Sequence, residues 1–295
     1  MCGVSYDPTP FCDALEQRAR RDGARPLLTY YDLATGERTE LSGTTFANWV
    51  DKTVHLAEEL GAADGSQVCL PLVSSHPGHW VSLVWVAAVW QLGASVTQDS
   101  ADADLAVMGP ERPAPLEGVE TVACSLHPFA LPFPTPVDGV TDYADVRTQP
   151  DVHVRYPAAR DGWHDDAIPV APRAGRALVV PTTTWATVAD ALVAPVLGGG
   201  SSVIVVNGDE AAHARIAATE RADDMSETAE TFLKNWFPAP WLREGNPAVE
   251  PFRAMLLSTD KHGLAGAFAA VRDFALRRTI ALIPNPTLVI AGQHD

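Results

Sequence analysis

The sequence predicts an α/β protein: a parallel sheet with flanking helices, then a mostly helical segment ending in one strand. Three observations predict it. Hydrophobic residues make up 46% of the 295 and charged residues 20%, enough apolar surface for a core. Strand and helix patterns alternate between residues 67 and 108 and again between 177 and 206, as βαβ units do. Beyond about residue 222 the apolar spacing becomes helical.

Leu27-Leu28-Thr29-Tyr30-Tyr31 suits a pleated surface, Asp32 to Gly36 supplies turn residues, and Glu37 to Leu41 returns as the second strand of a hairpin. Phe46, Trp49, Val50, Val54, Ala57 and Leu60 then recur at helical steps. Ser42, Thr44 or Thr45 can cap that helix, and Gly61 suits its left-handed end. Gln67 to Leu72 reads as a short buried strand and His79 to Leu92 as a helix apolar on most sides, closed by Gly93. Trp80, Trp85 and Trp90 recur at five-residue steps, which spreads them around that helix and predicts burial on several sides. Ala94-Ser95-Val96 and Asp104 to Met108 are the next strands.

Proline crowds the stretch from Pro110 to Pro172, with Pro132, Pro134 and Pro136 at alternate positions, so long regular elements are not expected there. Ala177 to Val180, a helix from about Thr187 to Leu197, a Gly198-Gly199-Gly200 stop and Ser202 to Val206 form a second βαβ unit. Residues 1–222 carry 28 acids and 14 bases, whereas 223–295 carry 9 and 7, and the pattern changes with the charge. The predicted domains are therefore 1–222, with a proline-rich connection over about 110–172, and 223–295. Helices are expected at 229–237, 248–257 and 264–274, then the strand Pro286 to Gly292.

Net charge is −16, from 21 Lys+Arg against 37 Asp+Glu, which argues against nucleic-acid or anionic-membrane partners. Cys2, Cys12, Cys69 and Cys124 have no C-x-x-C spacing and read as reduced thiols. Met1 to Arg21 lacks the apolar core of a secretory signal. Trp80 to Val96, interrupted by Ser82, Gln91, Gly93 and Ser95, reads as a buried helix and strand. The expectation is a cytoplasmic protein.

Glu40-Leu41 before a helix, Leu60-Gly61 followed by Asp64-Gly65-Ser66-Gln67-Val68, His79-Trp80 opening a helix and Leu92-Gly93-Ala94 closing it resemble the opening subdomain of the adenylate-forming superfamily of acyl-CoA synthetases. More closely, residues 25–222 resemble an actinobacterial family of shortened synthetase-like proteins. That likeness is carried by Arg25 to Tyr31, Ala47-Asn48-Trp49-Val50, Ser125-Leu126-His127-Pro128, Gly139 to Tyr143 and Ala194-Pro195-Val196-Leu197. The last 70 residues resemble the cap and acid-bearing strand of an α/β-hydrolase of the 3-oxoadipate enol-lactonase type, through Arg253 to Asp260, Ala270 to Phe274 and Pro286 to Asp295. The resemblance implies an incomplete adenylate-forming parallel sheet followed by a hydrolase cap fragment. It makes Asp295 a triad acid.

Neither framework carries its full chemistry. Adenylation needs a glycine-rich loop whose amides cradle phosphate, and a lysine. Ser42-Gly43-Thr44-Thr45 looks like such a loop for four residues but lacks the second glycine and the lysine, and it precedes a helix that it can cap. Gly198-Gly199-Gly200 precedes a strand, and Lys52 is the only lysine in the first 222 residues. A serine hydrolase usually presents its nucleophile on Gly-x-Ser-x-Gly, which is absent, and no histidine follows Asp295. His294 beside it reads as a solvated terminal residue.

His76 and His79 have a metal-like gap without further ligands in pattern, and Asp99, Asp102 and Asp104 lack the glycine and glutamate of a calcium loop. No metal or cofactor is expected; ATP and CoA would enter only if the synthetase likeness were functional. The leading expectation is a non-catalytic, shortened synthetase-like protein that binds an acyl or nucleotide ligand in the crevice at the strand ends. The alternative is a lactone or ester hydrolase with Asp295 as acid. The strand ending near residue 290 leaves an open sheet edge through which chains could associate.

Overall fold

The computed structural model describes residues 8–97, 99–111, 113–154, 170–221, 232–243 and 246–258. The predicted helix at 264–274, the strand from Pro286, His294 and Asp295 lie outside the described residues. The chain divides into two compact units, Met1–Ala217 and Ala218–Asp295.

The first unit opens with α1 (Pro8–Arg21), a helix that the apolar spacing alone did not suggest. It buries Phe11 and Leu15, with the Phe11 ring set edge-on against Trp90 at 5.1 Å. The predicted hairpin follows as β1 (Pro26–Asp32) and β2 (Glu37–Ser42), antiparallel, with Gly36 in the left-handed conformation its turn requires. Helix α2 (Gly43–Glu59) is capped by Ser42, whose Oγ accepts from the Thr45 amide at 3.1 Å.

The strand expected over Gln67–Leu72 stops early. Only β3 (Gln67–Cys69) pairs, because Pro71 starts the short helix α3 (Pro71–Ser75). Proline lacks the N–H a strand ladder needs but is well placed in a first helical turn. Helix α4 (Trp80–Leu92) is buried at every position, so the spread of Trp80, Trp85 and Trp90 around it is a packing pattern. Gly93 ends it at φ 78°.

Four short strands follow: β4 (Ser95–Thr97), β5 (Leu105–Met108), β6 (Glu120–Ala123) and β7 (Thr141–Asp142), the last leading into a 3₁₀ turn over Tyr143–Thr148. β6 and β7 lie inside the proline-rich stretch, where four and two residues are too few to show a period. After β8 (Arg176–Val179), a continuous helix runs from Thr184 to Gly198, starting three residues earlier than expected. Its middle, Ala189–Val193, is a π turn just before Pro195. A proline inside a helix removes a donor and crowds the carbonyl four residues back, and widening the turn relieves that. β9 (Ser201–Val206) and α5 (Glu210–Arg221) complete the run.

The strands form two sheets rather than the single parallel sheet the patterning suggested. One has the order β2-β1-β9-β8. There the hairpin strand β1 runs parallel to β9, with Leu28 opposite Ser202, and β9 runs parallel to β8. The other is wholly parallel, in the order β4-β3-β5-β6-β7. One apolar core joins Leu28 and Ile204 of the first sheet, Val68, Leu105 and Val122 of the second, and the α4 tryptophans. A one-residue bulge between Pro26 and Leu28 is the only irregularity in the hairpin register.

The second unit is helical where described: residues 232–236, α6 (Ala239–Arg243) and α7 (Glu250–Ser258), around Leu233, Val249 and Leu256. Among the described residues, no helix is long and apolar enough to cross a membrane.

Candidate functional site

In a doubly wound parallel sheet the strand order reverses where two neighbouring connections leave in opposite directions, and the crevice at the carboxyl ends of those strands is the default ligand site. Here the reversal falls between β3 and β5, since β4 lies to one side and β6 and β7 to the other. The segments leaving the carboxyl ends of those two strands carry Ser75 and His76 after β3, and Gly109 and Glu111 after β5.

These four residues are in contact. His76 Nδ1 lies 2.9 Å from Ser75 Oγ, and its Nε2 lies 3.0 Å from a Glu111 carboxylate oxygen. Gly109 fits beneath them: a Cβ there would stand 2.9 Å from Glu111 Oε2 and 3.3 Å from Ser75 Oγ. The Ser75 hydroxyl also donates to the carbonyls of Pro71 or Leu72, so it serves the last turn of α3. The arrangement is a surface hydrogen-bond relay with a fixed histidine.

The next turn joins the two sheets. A Cβ on Gly78 would come within 2.6 Å of Pro181 Cγ and 2.9 Å of Ile204 Cγ2, so the chain passes hard against the carboxyl ends of β8 and β9. His79 then caps α4, its Nδ1 accepting from the Val81 amide at 3.2 Å, and its ring meets Tyr30 of β1 edge-on at 4.8 Å. Burial, assisted by the nearby His76, lowers the His79 pKa to about 3 against an opposing pull from Asp32.

That shift has a sign. The folded state refuses a proton that the unfolded chain accepts below its ordinary value of 6.5. Stability is therefore complete above pH 6.5 and falls with pH below it, by up to about 1.4 kcal/mol per unit. Between pH 6.5 and 5 the urea midpoint should drop by the equivalent of about 2 kcal/mol from this group. His79→Asn, which keeps a capping oxygen, should remove that part of the acid slope. Equal slopes in the two proteins would exclude His79 as its source.

Asp32 ends β1 on the same edge. Burial alone would raise its pKa, but hydrogen bonds from Asn207 Nδ2 (2.8 Å) and the Ala34 amide (2.9 Å) outweigh burial and hold the carboxylate below its usual range. Asn207 has φ 58°, a left-handed turn that places its amide on Asp32 as the chain leaves β9. Leu126 and Ala130, in the segment after β6, also have positive φ, at 58° and 47°. Non-glycine residues are held this way only where their surroundings insist, and such residues cluster at functional sites.

Could this edge hold a phosphate? Three stretches have residues of the kind that cradle one, and each already commits backbone groups within the fold. After β8 the chain reads Pro181-Thr182-Thr183-Thr184, a threonine-rich turn between strand and helix with neither glycine nor lysine. The Thr182 amide donates to Thr187 Oγ1 at 2.9 Å. At Ser42-Gly43-Thr44-Thr45, the Gly43 and Thr44 amides donate to the Arg25 and Gly23 carbonyls, and the Thr45 amide to Ser42. Gly199, at φ 74°, is a helix end, while Gly198 and Gly200 press on the backbone of Arg173 and Gly175, leaving no room for a Cβ. Lys52 points elsewhere and donates to the Gln149 carbonyl.

The other predicted candidates resolve into local roles. Asp99 Oδ1 accepts from the Ala101 amide and Asp104 Oδ2 from the Gln67 amide, both at 2.9 Å. His76 and His79 face different partners, and among the described residues no group of three or more histidine, cysteine or acidic side chains could hold a metal ion. Asp295 is outside the described residues. Sequence reading missed Ser75, Glu111, Asp32, Asn207 and the Thr182–Thr184 turn. The threonine run between a strand and a helix was a visible signal for the last; the others become neighbours only through strand order.

No family model matches the chain. A Mycobacterium tuberculosis protein described as a TIGR03089 family protein is 36% identical over 241 residues, covering 72% of this chain and 97% of that protein. Among solved structures, an acyl-CoA synthetase from Brucella canis superposes with a TM-score of 0.53 at 15% identity, over 75% of this chain and 46% of the synthetase. The chain thus spans about half the length of that enzyme. The likeness is one of fold, the adenylate-forming N-terminal type.

Proposed function

The chain belongs to the TIGR03089 family, and from that premise we propose that it uses the adenylate-forming fold as a binding scaffold without ATP-dependent ligation. The ligand would be an acyl or nucleotide compound seated on the carboxyl edge beside His76, Gly78 and Pro181. One observation carries this reading. The Thr182 amide, at the start of the turn between β8 and its helix, is satisfied internally by Thr187. That turn has its first amide engaged and carries neither the glycine nor the lysine of an adenylation loop. The strand-end crevice itself, with strained backbone and fixed polar groups, supports binding.

Two measurements test it. Purified protein given ATP, magnesium and a panel of carboxylic acids should release pyrophosphate no faster than a protein-free blank. A non-hydrolysable acyl-adenylate analogue should bind saturably by calorimetry. Sustained pyrophosphate release would establish ligation and end the non-catalytic reading; no heat with the analogue would end the binding one. The cap-fragment reading of residues 223–295, with Asp295 as triad acid of a lactone or ester hydrolase, is tested separately. It predicts a serine labelled by a fluorophosphonate probe, and an unlabelled protein would remove it.

A further inference from the structure

The relay at the sheet reversal has the parts of an activated nucleophile. Ser75 ends α3 with its side chain exposed, and its Oγ lies 2.9 Å from His76 Nδ1. On the far side of the ring, His76 Nε2 lies 3.0 Å from Glu111 Oε1. A carboxylate only accepts, so Nε2 carries the proton of the neutral imidazole and Nδ1 is the acceptor that faces the hydroxyl. An alcohol hydrogen-bonded to a base, with the base oriented by a third group, is the arrangement that makes serine a nucleophile.

Ser75 has one proton and three acceptors within reach. The Pro71 and Leu72 carbonyls are each 3.2 Å from Oγ, whereas His76 Nδ1 is at 2.9 Å. The hydroxyl rotates among them, and its shortest contact is the one to the base. Because Ser75 is exposed, a carbonyl carbon can reach Oγ from solvent, and water can follow it.

Gly109 leaves the room that the relay occupies. A Cβ there would stand 2.9 Å from Glu111 Oε2, 3.3 Å from Ser75 Oγ and 3.4 Å from His76 Nδ1. Its φ is not in the left-handed region, so the space beside the relay, and not the backbone, is what glycine serves here. Half-buried Pro77 follows His76, and Pro181 lies against Gly78. Their rings give a short acyl chain an apolar seat beside the relay.

We propose that Ser75, His76 and Glu111 form a nucleophilic site that hydrolyses small carboxylic esters. Ser75 and His76 are the catalytic residues and Glu111 is a positioning residue. The substrate class rests on the reading of this edge as the seat of an acyl ligand; the step itself needs water and no ATP. Oγ attacks the ester carbonyl carbon as its proton passes to His76 Nδ1. The C–O bond to the leaving alcohol then breaks, and that oxygen takes the proton from Nδ1. Water adds to the Ser75 ester and gives a proton to Nδ1; the bond to Oγ breaks, Oγ recovers the proton and the carboxylic acid leaves. Glu111 holds the Nε2–H throughout and stabilises the imidazolium. One ester and one water become one acid and one alcohol, with no change of oxidation state.

The test uses the full chain with p-nitrophenyl butyrate as substrate and a fluorophosphonate probe located by peptide mass mapping. Turnover should exceed that of the same concentration of free imidazole by about a hundredfold or more, the lower range for a positioned general base. The probe should attach to Ser75, and its position distinguishes this nucleophile from any serine of the hydrolase alternative. Ser75→Ala should reduce turnover to the imidazole level, whereas Ser74→Ala, which removes the neighbouring exposed hydroxyl, should leave it unchanged. Glu111→Gln should lower kcat about tenfold or more with KM unchanged, as expected for a group that acts through the base. Gly109→Ala displaces the Glu111 carboxylate and should do the same while the protein stays folded by circular dichroism. The proposal is overturned by turnover no faster than free imidazole, by an adduct on another residue, by undiminished turnover in Ser75→Ala, or by unchanged kcat in both Glu111→Gln and Gly109→Ala. The binding reading is scored separately by the acyl-adenylate analogue. Heat with the analogue but no ester turnover removes the hydrolytic step alone, and turnover without heat removes the adenylate ligand alone.

Discussion

Trp85→Ala should destabilise the first unit by about 3–5 kcal/mol, the range for truncating a fully buried large aromatic. Trp85 has no exposed surface and sits at the middle of α4. Its ring lies 5.5 Å from that of Tyr143, whose hydroxyl meets Thr53 Oγ1 of α2 at 2.8 Å. The substitution thus leaves a cavity between α4 and the 3₁₀ turn and strands a polar pair beside it. Urea denaturation should show a lower midpoint with little change in slope. Phe129→Ala, at a residue 74% exposed, is the matched control and should move stability by no more than about 0.5 kcal/mol. Equal midpoints for the two variants would mean that α4 is not the centre of the core.

Gly78→Val should have the second large effect, and it reads on function as well as stability. The position has no room for a Cβ, with Pro181 Cγ at 2.6 Å and Ile204 Cγ2 at 2.9 Å. A branched side chain must therefore push the His76–His79 turn away from the ends of β8 and β9. Overpacking of this kind costs about 1–3 kcal/mol. If the acyl or nucleotide ligand sits on that edge, its affinity should fall more than about tenfold while the protein remains folded at 25 °C by circular dichroism. Gly36→Ala is the comparison: it strains a left-handed turn at φ 78°, in open space and on the hairpin. It should reduce stability and leave ligand affinity unchanged. Undiminished binding in Gly78→Val would place the ligand elsewhere.

The parts of the fold that were legible share one property: their signal is local. Ser42 before the α2 stripe, Gly93 after α4 and the turn from Asp32 to Gly36 each act within a few residues, and each stands where the pattern put it. Helix α4 was legible from composition, since residues apolar on every side can only be buried. β6 and β7 were illegible because a strand of four or two residues has no period to detect; their pairing partners define them. The early end of β3 was legible in principle from Pro71, a residue that can open a helix and cannot join a ladder.

The candidate site was less legible than the scaffold. Asp32 and Asn207 are 175 residues apart in sequence and 2.8 Å apart in space. Asp51 and His153 are likewise brought together over 102 residues. No spacing rule links such pairs, because their proximity is a consequence of strand order and helix packing.

By itself the sequence determined the class of the protein, the alternation of its elements and the burial of the α4 tryptophans. Those depend on residue type and near neighbours, and both are written in the chain. Only the tertiary structure decided that β1 joins β9, that the sheet order reverses between β3 and β5, and that the Gly78 turn bridges two sheets. These depend on which surfaces bury against each other across long loops, and a contact of that kind costs so little extra closure entropy per added residue that loop length cannot foretell it.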